Sequence, residues 1–62
     1  MTPRSVLMHA AELAAGIRMV VWVWIDTEGE YWFSHGEDGK PPDKQGLQKT
    51  DVMYPSGVRL NP

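Results

Sequence analysis

Ser5, His9 and Glu12 follow one another at steps of four and three, the spacing that lines a hydroxyl, an imidazole and a carboxylate along one helix face. Histidine-activated nucleophilic attack is the chemistry such a set would perform. That chemistry also needs a pocket and an oxyanion site, and 62 residues leave little room for either. The face therefore reads as a solvated polar stripe. Ser34 and His35 are adjacent on what reads as a strand, so they point to opposite faces and form no dyad. For metal, His35 with Asp38, or His9 with Glu12, supplies two donors where a site takes three or four, and the chain contains no cysteine. Gly36-Glu37-Asp38-Gly39-Lys40 has neither the phosphate-loop nor the EF-hand spacing. We expect no catalytic residue, no metal and no cofactor, and hence a protein that binds rather than catalyses.

Two other constellations suit binding. Asp26, Glu28, Glu30, Glu37 and Asp38 form a stretch with no intervening base. This argues against a phosphate-tracking surface, which carries a basic stripe. One reading is a solvated hairpin tip that discourages aggregation at a sheet edge; the other is a compact anionic knob that steers a basic partner. Trp22, Trp24 and Trp32 form the second set. Each large aromatic buries roughly 150–250 Å², so something is expected to cover all of them. The candidates are the C-terminal tail through Leu47, Met53 or Tyr54, a second copy of the chain, or another molecule.

The elements that position these residues follow from local pattern. Thr2-Pro3 suits a helix start, with a capping hydroxyl and proline at the first helical position, and Gly16 a stop. Between them Val6, Ala10, Leu13 and Ile17, with Leu7, Ala11 and Ala14 beside them, make one apolar stripe of helical period. From Ile17 the chemistry is that of a strand. Period two puts Ile17, Met19, Val21, Val23 and Ile25 on an aliphatic face, expected to meet the helix, and Arg18, Val20, Trp22, Trp24 and Asp26 on a mixed aromatic one. Asp26-Thr27-Glu28-Gly29 reads as a type I turn with a left-handed glycine. That loop sets Asp26 opposite Glu30, Ile25 opposite Tyr31, Trp24 opposite Trp32, Val23 opposite Phe33 and Trp22 opposite Ser34. Residues 36–46 have loop composition. Val52, Met53 and Tyr54 offer a third strand, stopped by Pro55-Ser56-Gly57, with a shorter Val58 to Leu60 segment after it. The third strand is wanted, because a lone hairpin is marginal in water.

The expected architecture is thus a single α+β domain over residues 1–62, one N-terminal helix packed on an antiparallel β-hairpin or three-stranded sheet. The helix should span about 3–15, the hairpin about 17–35, the loop about 36–50 and the tail strand about 51–54. A domain this small is marginally stable, and without disulfides association is the available remedy. The absence of cysteine fits a reducing compartment, and the longest apolar run, Met19 to Ile25, is too short to cross a bilayer. With no signal-peptide pattern at the N-terminus, a cytoplasmic location is expected.

No motif in these residues ties the chain to a family. In kind, rather than by any matched motif, it is similar to the small inhibitors, anti-CRISPR proteins among them, that phages and mobile elements direct against nucleic-acid-handling machinery. The expected function is non-catalytic binding of a protein with a basic surface, through Asp26, Glu28, Glu30, Glu37 and Asp38 and the aromatic face of Trp22, Trp24 and Trp32. Direct contact with nucleic acid or membrane is not expected, and a homodimer stays open. The alternatives are single-stranded nucleic-acid binding by tryptophan stacking, which would need Lys40, Lys44 and Lys49 to fold back along the sheet, and an accessory subunit that donates a sheet edge to a larger complex.

Overall fold

A computed structural model describes residues 1–56 and the backbone of residues 59–60. Helix α1 (Arg4–Ile17) packs on an antiparallel sheet of β1 (Val21–Ile25), β2 (Tyr31–His35), β3 (Gln48–Met53) and the short β4 (Arg59–Leu60). The spatial order is β2-β1-β3-β4. This is the expected α+β arrangement of one helix on an antiparallel sheet, with the third strand present and a two-residue fourth beside it. Of the tail, Gly57 and Val58 lie outside the described residues.

The core forms where the helix stripe meets the aliphatic side of β1. Ala10, Ala14, Val21, Val23 and Met53 are buried, with Val6, Leu7, Ala11, Leu13, Tyr31 and Phe33 packed around them. Ala10 and Ala14, both wholly buried, form the centre of the stripe. Methyl side chains there let the helix approach the strands closely, and larger ones flank it. Ile17, expected in the stripe, is instead exposed at the helix end.

Both expected helix boundaries shift. The Pro3 carbonyl accepts the Val6 and Leu7 N–H groups at 3.1 and 3.2 Å, and Pro3 occupies the cap without a side-chain hydrogen bond. The Thr2 hydroxyl does not cap; it donates across the fold to the Asp51 carboxylate. Gly16 does not stop the helix. The stop is Arg18, which takes the left-handed conformation at φ 57°, ψ 40°.

The hairpin has the expected register, from Val21 opposite His35 to Ile25 opposite Tyr31. Its loop closes by Asp26 N–H to Glu30 O at 2.9 Å and Gly29 N–H to Asp26 O at 3.2 Å, with Gly29 at φ 84°. The β1–β3 pairing carries a bulge. Val23 faces Asp51 and Trp24 faces Lys49, so Thr50 is the extra residue, and its hydroxyl donates to the Val23 carbonyl at 3.3 Å. Without a bulge, residues 49 and 51 would share a face. With it, Asp51 turns to the helix side and Lys49 to the tryptophan side.

Candidate functional site

The tryptophan face is largely an interior. Each indole N–H is satisfied within the chain: Trp22 donates to the Gly36 carbonyl at 2.7 Å, Trp24 to Ser34 Oγ at 2.8 Å and Trp32 to Asp26 Oδ2 at 3.0 Å. Trp24 is buried, while Trp22 and Trp32 are half-buried. The cover comes from the segment between β2 and β3, to which Leu47 belongs, and not from Met53 or Tyr54. It crosses Trp22 at Gly39, where a Cβ would stand 3.1 Å from the ring. Further on, its Lys44 Nζ lies 5.1 Å from the Trp32 ring centre, and from β3 the Lys49 Nζ lies 4.8 Å from that of Trp22. The segment ends beside the hairpin tip, with Gly46 close against Thr27. Of the residues expected to form the lid, Met53 belongs to the helix-side core. Tyr54 lines a cleft at the far end of the sheet. Val52, opposite Trp22 and buried, is the β3 residue that faces the tryptophans.

Asp26, assigned from sequence to an outer anionic knob, is turned inward and is 7% exposed. Its Oδ1 accepts the Glu28 and Glu30 N–H groups, each at 2.9 Å, and its Oδ2 accepts the Trp32 indole and faces Lys44 Nζ at 4.0 Å. The Trp32 hydrogen bond, then that from Glu30, hold its carboxyl below the ordinary aspartate value, against the opposing effect of burial. Asp26 builds the turn.

Nor do the remaining acids form one knob. Glu28 and Glu30 stand at the hairpin tip, and Glu37 and Asp38 lie past the other end of β2. Five strand residues separate the two pairs, which places them roughly 17 Å apart or more. All four are exposed. Among the described residues the one ion pair is Lys44 with Asp26, so the charges of these acids are left to solvent.

Between the acidic ends runs the outer edge of β2. No described strand pairs with that side. The bonds from Asp26 N–H to Glu30 O and from Gly36 N–H to Val20 O fix the alternation of the ladder: Trp32 and Ser34 bond inward to β1, and the backbone groups of Tyr31, Phe33 and His35 point outward. Tyr31 and Phe33 are half-buried and His35 is exposed. On the helix side this edge borders a hollow of ≈ 130 Å³ lined by Leu13, Ile17, Val21, Phe33, Ser34 and His35. A larger open cleft of ≈ 910 Å³ lies at the Glu37–Asp38 end, lined by Met19, Val20, Tyr54 and Pro55 together with Arg18 and His35.

The polar helix residues line neither of these two clefts. Ser5, His9 and Glu12 are exposed, and the His9 ring meets Phe33 edge-on at 5.2 Å. Among the described residues no group of three or more histidines and acids is placed to hold a metal, and no helix is long and apolar enough to cross a membrane. Sequence reasoning missed Asp51, 2% exposed on the helix side of β3; alternation with Met53 puts it there, and an acid is not an expected core residue. No family model matches the chain, and no curated protein or solved structure is significantly similar to it.

Proposed function

We propose that this chain is a non-catalytic protein-binding module whose partner carries a basic surface. The observation that carries the reading is the separation of surface charge. Glu28, Glu30, Glu37 and Asp38 face solvent without an ion-pair partner among the described residues, whereas Lys44 and Lys49 lie over Trp32 and Trp22. Acidic clusters speed encounter with a partner of opposite charge and reject like-charged competitors; the hairpin-tip pair, Glu28 and Glu30, carries most of this effect, since Lys40 and Arg18 lie near Glu37 and Asp38. In its narrower form, the module is an inhibitor of the phage or mobile-element kind, anti-CRISPR proteins included, that occupies the nucleic-acid site of its target. A cysteine-free chain suits a cytoplasmic setting for this role. The tryptophans contribute by rigidifying the sheet rather than as partner anchors. The test is to isolate the partner from source cells, purify it, and titrate the chain against the partner's complex with labelled nucleic acid. Stoichiometric displacement supports the inhibitor; binding without displacement leaves the module and removes the inhibitor.

A second reading has its own observation. The segment after β2 does fold back along the sheet and brings Lys44 to Trp32, while Lys49 reaches Trp22 from β3, which is what single-strand stacking would require. The lysines, however, sit over the rings that a base would need, and the indole N–H groups are already bonded. A titration with a labelled single strand at low ionic strength separates the two readings. Micromolar binding abolished by salt would favour the stacking platform.

A further inference from the structure

We propose that the outer edge of β2 is a strand-addition site for an extended segment with a short uncharged centre and basic residues at both ends. The inference rests on the protein-binding reading above and names where and what the module binds. Open sheet edges are ordinarily blunted by lysine, proline, a bulge or an inward charge. Tyr31–His35 has none of these, and its pairing with β1 runs without a register shift. The outward N–H and C=O groups of Tyr31, Phe33 and His35 are spaced to receive a neighbouring strand. An added side chain pointing to the helix side would meet the ≈ 130 Å³ hollow beside Leu13, Ile17 and Phe33.

Charge selects the occupant. Glu28 and Glu30 bound one end of the edge, Glu37 and Asp38 the other, and the strand between them is uncharged. Antiparallel pairing with a second copy, centred on Phe33, would set Glu28 against Asp38 and Gly29-Glu30 against Gly36-Glu37 of that copy. Acid would then oppose acid at both ends, an arrangement that costs stability. A segment with lysine or arginine at each end, separated by about five residues to match the strand length, meets opposite charge at both ends.

The experiment uses the intact chain and a synthetic nine-residue peptide, Arg-Lys-Thr-Val-Thr-Val-Thr-Lys-Arg, followed by amide NMR and hydrogen exchange. Binding should shift the amides of residues 31–35 and slow exchange at Tyr31, Phe33 and His35. His35→Pro removes an outward N–H and no ladder bond. It should weaken binding about tenfold, whereas His35→Ala, which keeps that N–H, should change it by less than about threefold. A peptide with glutamate in place of its basic residues should not bind. Absence of peptide binding at millimolar concentration, shifts confined to other surfaces, or equal binding by both His35 variants would overturn the site. Concentration-dependent shifts of residues 31–35 without peptide would show a second copy as the occupant and overturn the charge argument. If a purified protein partner binds elsewhere while the peptide fails, the edge is refuted and the module stands.

Discussion

The Trp32 indole N–H donates to Asp26 Oδ2 at 3.0 Å, joining the first residue of the hairpin turn to the second residue of the returning strand. Because the same carboxylate also accepts the Glu28 and Glu30 N–H groups, one side chain organises the turn and anchors an indole. The hydrogen bonds favour the ionised form. The folded-state value is held below 3.8, so this stabilisation is complete above the unfolded aspartate value and is lost as pH falls through the folded one. Asp26→Asn should lower the melting temperature at neutral pH. It should also flatten the fall in stability below about pH 4. Thermal melts across pH 2–7 check this; parallel curves for the variant and the parent would show that Asp26 does not link the turn to the proton.

Gly39 lies against Trp22. At φ 65° a side chain is disfavoured, and an added Cβ would stand 3.1 Å from the ring. Gly39→Ala should cost about 1–3 kcal/mol and lift the covering segment, raising quenching of tryptophan emission by acrylamide. Unchanged quenching would mean that the segment does not cover the face.

Arg18 ends α1 in the left-handed conformation, where Cβ sterics favour glycine. Arg18→Gly should stabilise the fold by about 0.5–1 kcal/mol, measured by urea denaturation. A loss of that size would indicate that the arginine side chain makes a contact worth more than the strain.

Local pattern was enough to read the hairpin. Alternation separated Val21 and Val23 from Trp22 and Trp24, and Asp26 with Gly29 specified the loop and so the register. The same patterns placed the helix on the correct face, because the stripe through Ala10 and Ala14 has one period only. What failed depended on contacts distant in sequence. Thr2 was a reasonable cap until Asp51, a partner 49 residues away, took its hydroxyl. Asp26 and Glu28 look alike as acids in a turn, yet one is inside and the other out, since only Asp26 lies within reach of Trp32. A cover over the tryptophans was legible but its path was not: Gly39 and Lys44 lie in loop composition, and their docking is decided by the rings they meet rather than by their neighbours in the chain. The separation of the acids into two ends, by contrast, was implicit in the strand itself, because Tyr31–His35 must hold Glu30 and Glu37 apart.

The central claim is that the exposed acids are a recognition surface and not only a solvated one. Replacing Glu28, Glu30 and Glu37 with glutamine and Asp38 with asparagine spares Asp26, and so should leave the melting temperature unchanged within a few degrees. The most direct measurement is the association rate of this variant with the purified partner, against that of the parent chain, at low and at physiological salt. The account predicts that the parent associates at least about tenfold faster at low salt and that the difference shrinks as salt rises. Equal rates for the two proteins at both salt concentrations would contradict it.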